Sequence, residues 1–215
     1  MKQISRKKNL NKILCDYFGR KYCLLVGSGT TALLVSLLAQ NFPRNSEVIV
    51  PNFTCFIVPM AVKLADLKPV FVEIQKKDYN IAPSKIEEKI TKRTRAIIGV
   101  HTFGRSFEVD KIKNICSQNN IMLFEDFCQS VGGDYSNKLH GNFGDISFCS
   151  FAIGKTVGAQ GGGAIFTDNL EIYQTIKSYS RNLKPINWSS IVMRLLCDDL
   201  KNPPNFLTSK VINIL

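Results

Sequence analysis

The sequence predicts an α/β fold with a mostly parallel, seven-stranded sheet flanked by helices. Seven short apolar runs alternate with segments of helical character, an order typical of a parallel sheet covered on both faces. Runs such as residues 96–100 are continuously apolar rather than alternating, which indicates strands buried on both faces. With 215 residues, 45% of them hydrophobic, the chain is long enough to bury one sizeable core.

The elements are predicted in chain order from these patterns. Residues 1–20 form a basic helix in which Leu10, Leu14 and Tyr17 recur at helical intervals. The predicted strands cover 22–26, 47–50, 69–73, 95–100, 121–125, 145–151 and 163–167. The predicted helices include 29–40, 55–65, 83–90 and 108–118. The loop between the last two strands is too short for a helical crossover, so we expect at least one antiparallel pair.

A glycine-rich turn between the first strand and the next helix is a candidate anion site. Gly27-Ser28-Gly29-Thr30-Thr31-Ala32 opens the helix, where free backbone N–H groups and the positive dipole end coincide. Thr30 and Thr31 add hydroxyl donors. The hexamer also matches a GxGxxA dinucleotide motif, but that motif expects an acid at the end of the second strand. This chain has Pro51-Asn52 there, so the dinucleotide site is the alternative interpretation.

A lysine and a carboxylate occupy the same predicted edge of the sheet. Lys155 lies in the short loop before the glycine triplet 161–163, and Glu125-Asp126 sits at the carboxyl end of the fifth strand. Ligands of open parallel sheets bind at such ends. A lysine that binds an aldehyde and an aspartate that pairs with a pyridinium nitrogen are the groups that pyridoxal phosphate chemistry most needs. Ser150 adds a candidate phosphate donor.

A series of short motifs resembles one known family. In chain order the motifs are SGTTAL (28–33), EVIVPNFT (47–54), KPVFVEI (68–74), RAIIGVHTFG (95–104), EDFCQSVGG (125–133), FGDISFCSF (143–151), GK (154–155) and GGGAIFTDN (161–169). The series is similar to the DegT/DnrJ/EryC1/StrS sugar aminotransferases, which are pyridoxal-phosphate enzymes of the aspartate-aminotransferase fold type. The resemblance runs from about Leu10 to Asn182 and is specific because the motifs occur in the right order.

The resemblance implies roles for individual residues. It places the covalent lysine on Lys155, the aspartate of the pyridine nitrogen on Asp126, and a side chain close to the ring on Gln129. The implied phosphate-binding residues are Gly29, Thr30 and Ser150. We therefore expect pyridoxal 5′-phosphate as the cofactor.

One position departs from the family pattern. Relatives usually place an aromatic residue over the cofactor ring where this chain has Cys55, and Phe53 and Phe56 are candidates to replace it. Some relatives carry a histidine in place of the lysine and dehydrate sugars, so Lys155 favours transamination.

The resemblance also implies a domain organisation and a substrate. Residues 1–182 would form the cofactor-binding large domain and residues 183–215 a truncated, partly helical tail, with the small carboxyl-terminal domain missing. The implied reaction is amination of a keto nucleotide-sugar for polysaccharide or amino-sugar biosynthesis, with glutamate as donor and a homodimer as the assembly. The alternative is an inactive remnant that retains the cofactor-domain fold.

Composition argues against nucleic-acid binding, a membrane span and a metal site. The net charge of +11 and the basic amino terminus favour a solvated basic face over nucleic-acid binding, because no nucleic-acid motif accompanies them. No apolar run reaches the roughly eighteen residues of a membrane span. Seven cysteines without a CxxC pair indicate reduced thiols in the cytoplasm and no metal site. His101, at a strand end, either packs in the core or faces the site.

Overall fold

The computed structural model describes residues 2–159 and 161–182, so the tail predicted at 183–215 lies outside the described residues. The strands are β1 (Tyr22–Val26), β2 (Glu47–Pro51), β3 (Lys68–Val72), β4 (Thr94–Val100), β5 (Met122–Asp126), β6 (Asp134–Tyr135), β7 (Lys138–Leu139), β8 (Ile146–Ser150) and β9 (Gly163–Thr167). The helices are α1 (Lys2–Phe18), α2 (Gly29–Leu38), α3 (Ile57–Leu64), α4 (Pro83–Ile86), α5 (Val109–Asn119) and α6 (Leu170–Asn182).

The predicted seven-stranded sheet is confirmed, in the order β1-β9-β8-β5-β4-β2-β3. The pairs β2–β3, β2–β4, β4–β5 and β5–β8 are parallel. The strand β9 runs antiparallel to both of its neighbours, β1 and β8, which confirms the antiparallel pair expected from the short loop. The carboxyl ends of β1, β2, β4, β5 and β8 therefore meet at one edge, together with the amino end of β9.

Helices cover the sheet and bury its apolar strands. The side chains of α5 pack on the sheet through Ile112 and Ile115, in a core cluster that also contains Ile97 and Leu123. On the part of the sheet near β1, a second cluster groups Phe18 of α1 with aromatic and sulfur side chains, including Phe127, Cys149 and Phe166. These clusters fix the strands whose ends carry the polar side chains.

Three local elements differ from the sequence prediction. The predicted helix 83–90 is a short helix α4 followed by a 3-10 turn at Glu87–Lys89. A two-stranded hairpin, β6–β7, lies outside the main sheet, and α6 follows β9; neither was among the named predictions. Within the described part of the chain, no helix is long and apolar enough to cross a membrane.

Candidate active site

A cavity of about 230 Å³ opens at the carboxyl edge of the sheet. It lies where β1, β5 and β8 end and where α2 and α3 begin. All the residues predicted to contact the cofactor line it: Gly29, Thr30, Cys55, Asp126, Gln129, Ser150 and Lys155. The fold therefore brings these seven side chains or backbone positions together, whereas the binding role of each stays a prediction.

The amino end of α2 forms one wall of this cavity. Ser28 caps the helix in an extended conformation, and its Oγ accepts the Thr31 N–H at 3.0 Å. The Ser28 and Thr31 hydroxyl groups also share a hydrogen bond of 2.9 Å, so Thr31 belongs to the helix cap. Thr31 does not line the cavity. The backbone at Gly29 and Thr30 lies in the first turn, where N–H groups have no acceptor within the helix. This wall suits an anion.

Close packing explains the glycine at position 29. A Cβ atom there would lie 2.7 Å from the Cβ atom of Ser150 and 3.2 Å from its Oγ atom. A Cβ atom at Gly163 would lie 2.6 Å from the backbone of Ser28. Gly163 pairs with Ser150 in the sheet, so the two close approaches lie side by side. The absence of both Cβ atoms lets the end of β8 approach the start of α2, which puts the Ser150 hydroxyl beside the anion wall.

Asp126 is the buried carboxylate of the cavity. It ends β5, is only 8% exposed, and its Oδ1 accepts the Cys128 N–H at 2.9 Å. Burial raises the pKa of Asp126, and the hydrogen bonds from Cys128 and the positive charge of Lys155 offset only part of that effect. A desolvated carboxylate gains from a cationic partner. A protonated ring nitrogen would be such a partner, so this residue fits the expected cofactor.

Lys155 reaches the same cavity from the loop between β8 and β9. The loop is closed by its own backbone hydrogen bonds, from Lys155 N–H to Ala152 O at 3.1 Å and from Ala159 N–H to Phe151 O at 2.9 Å. Gly154, with a φ of 84°, adopts the left-handed backbone that this turn requires. A short loop closed by its own backbone hydrogen bonds thus places Lys155 at the cavity.

Gln129 and Cys55 complete the predicted set. The Gln129 Oε1 atom accepts the Phe103 N–H at 3.0 Å, so its side chain links the cavity to the loop after β4. Cys55 is exposed and lines the cavity. Phe53 and Phe56, the candidates to cover the ring, are 45% and 72% exposed and are not among the lining residues.

Glu125, one residue before Asp126, forms a buried network that the sequence does not reveal. Three backbone N–H groups bind its carboxylate: Oε1 accepts the Gly141 N–H at 2.6 Å, and Oε2 accepts the N–H groups of Phe143 and Gly144 at 2.7 and 2.9 Å.

Two side chains complete the hydrogen bonds to Glu125. They are Ser147, through its Oγ at 2.8 Å, and His101, through its Nε2 at 3.0 Å. Side chains alternate along a strand, so this network lies behind the cavity and secures the strand that carries Asp126.

His101 is a packed histidine rather than a cavity residue. It is fully buried, is not among the lining residues, and stacks on His140 with ring centroids 3.7 Å apart. The His140 Nε2 atom bonds the Ser106 hydroxyl at 2.7 Å. Burial and the neighbouring His101 lower the pKa of His140 to about 4. Of the two alternatives left open by the sequence, packing in the core is the correct one.

Metal coordination has no candidate in residues 2–159 and 161–182. No group of three or more histidine, cysteine, aspartate or glutamate side chains there is arranged to hold an ion.

Comparisons with known proteins point to one family. The sequence profile of the DegT/DnrJ/EryC1/StrS aminotransferase family matches residues 2–185. A UDP-2-acetamido-2-deoxy-3-oxo-D-glucuronate aminotransferase from Pseudomonas aeruginosa is 38% identical over 170 residues, which cover 79% of this chain and 47% of that protein. A dTDP-3-amino-3,6-dideoxy-α-D-galactopyranose transaminase from Aneurinibacillus thermoaerophilus is 39% identical, covering 80% of this chain and 50% of the relative.

Other similarities concern a dehydratase and a solved structure. A GDP-4-keto-6-deoxy-D-mannose 3-dehydratase from Yersinia pseudotuberculosis is 31% identical, covering 84% of this chain and 49% of that protein. The crystal structure of NtdA from Bacillus subtilis with the bound cofactor PMP superposes with a TM-score of 0.75 at 32% identity, covering 84% of this chain and 42% of that one. The chain thus spans about half the length of the relatives it matches.

Proposed function

The chain belongs to the DegT/DnrJ/EryC1/StrS aminotransferase family, and from this we propose that it carries the cofactor site of a pyridoxal-phosphate-dependent aminotransferase for a keto nucleotide-sugar. The observation that supports the proposal most is the cavity in which Lys155 and Asp126 meet the amino end of α2. An amine, a buried carboxylate and an anion site are the three features that this cofactor needs.

Different cavity residues would bind different parts of the cofactor. Gly29, Thr30 and Ser150 would hold the phosphate through the N–H groups of the first helical turn and through hydroxyl donors. Asp126 would hold the proton on the ring nitrogen, since burial raises the pKa of its carboxyl and a cation beside it would favour the ionised form. Gln129 would lie close to the ring. Bound pyridoxal phosphate would supply an aldehyde for the lysine and a ring that accepts electrons from the substrate carbon.

Lys155 would do the proton chemistry of the reaction. An amine near the reacting carbon can take a proton as general base and return it as general acid. The loop that carries Lys155 is bonded to itself, so the amine is held at the cavity by a short segment. Lysine at this position favours transamination over the dehydration that some family members perform.

We further propose the partners that the resemblance implies. Glutamate would be the amino donor, and the assembly would be a homodimer. Exposed apolar side chains beside the cavity, such as Phe56 and Ile153, which are 72% and 85% exposed, support an assembly that covers this edge. The six cysteines within the described residues are free thiols. Free thiols support a cytoplasmic location.

Covalent labelling tests the proposed site. Incubation of the 215-residue chain with pyridoxal phosphate and borohydride should fix the cofactor on Lys155, as read by peptide mass mapping. Lys155→Ala should abolish the label, while Lys92→Ala, which removes an exposed amine, should leave it in place. A label that maps to another lysine, or that survives in Lys155→Ala, would reject the site.

A further inference from the structure

Three exposed aromatic side chains form a cluster next to the candidate active site. Phe53, Tyr79 and Phe103 are 45%, 45% and 65% exposed. Their ring centroids lie 5.6 Å apart for Phe53–Tyr79, 6.1 Å for Phe53–Phe103 and 6.1 Å for Tyr79–Phe103. They come from three different loops, after β2, after β3 and after β4. We call them the aromatic triad.

Two residues of the aromatic triad have a strained backbone conformation. Tyr79 and Phe103 have φ values of 62° and 53°, in the left-handed region that bulky residues rarely adopt. Residues held in this region are strained, and such residues cluster at functional sites.

A buried asparagine holds the two strained loops together. Asn80 is fully buried; its Nδ2 donates to the Arg105 carbonyl oxygen at 3.1 Å, and its Oδ1 accepts the Thr102 N–H at 3.0 Å. The side chain thus fixes the segment that presents Tyr79 against the segment that presents Phe103. The triad is therefore preorganised rather than mobile.

The triad is continuous with the cavity. The Phe103 N–H donates to Gln129 Oε1 at 3.0 Å, and Gln129 lines the cavity. Phe53 directly precedes Thr54 and Cys55, which also line it. A ligand that reacts beside Lys155 and extends past these residues meets the aromatic rings.

Cationic side chains lie in the same two loops as Tyr79 and Phe103. The Arg105 Nη1 atom donates to the Lys77 carbonyl oxygen at 2.9 Å, so the guanidinium lies against the segment that leads to Tyr79. In the described part of the chain, Arg105 has no carboxylate within ion-pair distance. Lys77 is exposed and shares Glu108 with Lys111. The surface thus combines stacking faces with at least one cation available to an anion.

We propose that the aromatic triad binds the base of the nucleotide-sugar substrate and that Arg105 contacts its diphosphate. Aromatic rings accept any base by stacking, and guanidinium groups suit phosphate oxygens. This inference rests on the proposed function, because it needs a nucleotide-linked sugar at the cavity. It assigns to one surface the part of the substrate that takes no part in the reaction.

Binding of nucleoside diphosphates tests the assignment. UDP, dTDP and GDP would each be titrated against the full chain by calorimetry, with inorganic pyrophosphate as the probe that lacks a base. Tyr79→Leu and Phe103→Leu should each weaken the tightest nucleotide about 5- to 150-fold, the range that corresponds to ~1–3 kcal/mol of base stacking, and should not change pyrophosphate binding. Tyr79→Phe and Phe103→Tyr, which keep the rings, should retain the affinity. Arg105→Gln should weaken nucleotide and pyrophosphate alike.

Matched controls separate this inference from the proposed function. Tyr17→Leu removes an aromatic ring that is 57% exposed on α1 and should leave nucleotide affinity unchanged. Borohydride labelling of Lys155 in the same preparations reports the cofactor site independently. Normal labelling with unchanged nucleotide affinity in the leucine variants overturns the triad assignment alone. Leucine variants that change the sedimentation coefficient but not nucleotide affinity also overturn it, because the surface would then contact a second copy of the chain.

Discussion

Glu125 offers a stability prediction that can be worked out from its contacts. Burial by itself raises the pKa of this carboxyl, but the hydrogen bond with His101, the charge on that ring and the N–H groups of Gly141 and Gly144 outweigh burial and lower the pKa from 4.5 to about 2. A difference of about 2.5 in pKa, at ~1.36 kcal/mol per unit, corresponds to about 3 kcal/mol of folding free energy.

The sign of the pH dependence follows from the direction of the shift. A carboxyl whose pKa is lower in the folded state binds protons more weakly there, so it stabilises the fold above pH 4.5. That contribution is lost as the pH falls from about 5 to 2. At pH 7 the full contribution is present.

Glu125→Gln should therefore destabilise the protein at neutral pH by about 3 kcal/mol, because the ionised carboxylate that these donors stabilise is lost. The glutamine amide has one NH₂ group, and at the Oε2 position it would face three donors: Phe143 N–H, Gly144 N–H and Ser147 O–H. At the Oε1 position it would face the Gly141 N–H. Either orientation leaves a buried donor unpaired, at about 1–3 kcal/mol each.

Urea unfolding of wild type and variant at several pH values measures this prediction. Glu88→Gln is the matched control, because Glu88 is exposed and pairs with Lys85 on the surface, where such pairs contribute about 0–1 kcal/mol. The difference between wild type and Glu125→Gln should be large at pH 7 and shrink towards pH 3. A difference below 1 kcal/mol, or one that does not change with pH, would refute the proposed role of the network.

Two further predictions concern the cavity itself. Asp126→Asn should slow the half-reaction with glutamate by orders of magnitude while the protein stays folded, because loss of a catalytic charge commonly costs several kcal/mol in the barrier; an unchanged rate in an active preparation contradicts the role. Gly29→Ala should weaken pyridoxal phosphate binding in absorbance titrations, because its Cβ would lie 2.7 Å from Ser150 Cβ. Gly27→Ala, with no atom within 4 Å, should bind as wild type does; equal affinities in the two variants argue against the close packing.

Most elements of the sheet could be predicted because their signals are local. Each end of the seven strands lies within one residue of its predicted position. Continuous apolar runs bounded by polar residues can be recognised without knowing which distant segments they contact. The hairpin β6–β7 was missed because its turn residues, Ser136 and Asn137, adopt φ values of 50° and 61° without the glycine that usually signals such a turn. Its strands have only two residues each, too few to show a period.

The candidate site could be predicted in part for the same reason. Gly29, Asp126 and Ser150 stand at strand ends or helix starts, and the ends of parallel strands share an edge by construction. Glu125 could not be assigned, although it is adjacent to Asp126. Its five donors come from residues 101 and 141–147, and no periodic pattern relates those segments to position 125. The aromatic triad is invisible for the same reason, because its rings come from three loops.

The sequence by itself determined which residues form strands, which turn is the candidate anion site, and which lysine and aspartate are the candidates for the proposed chemistry. Hydrophobic periodicity and residue chemistry act over a few neighbours, so they can be read along the chain. Only the tertiary structure decided that β9 lies between β1 and β8, that His101 packs against His140, and that Phe53, Tyr79 and Phe103 share one surface. Those outcomes depend on strand order and packing between residues 13 to 145 positions apart in the sequence, and such contacts exist only once the core has formed.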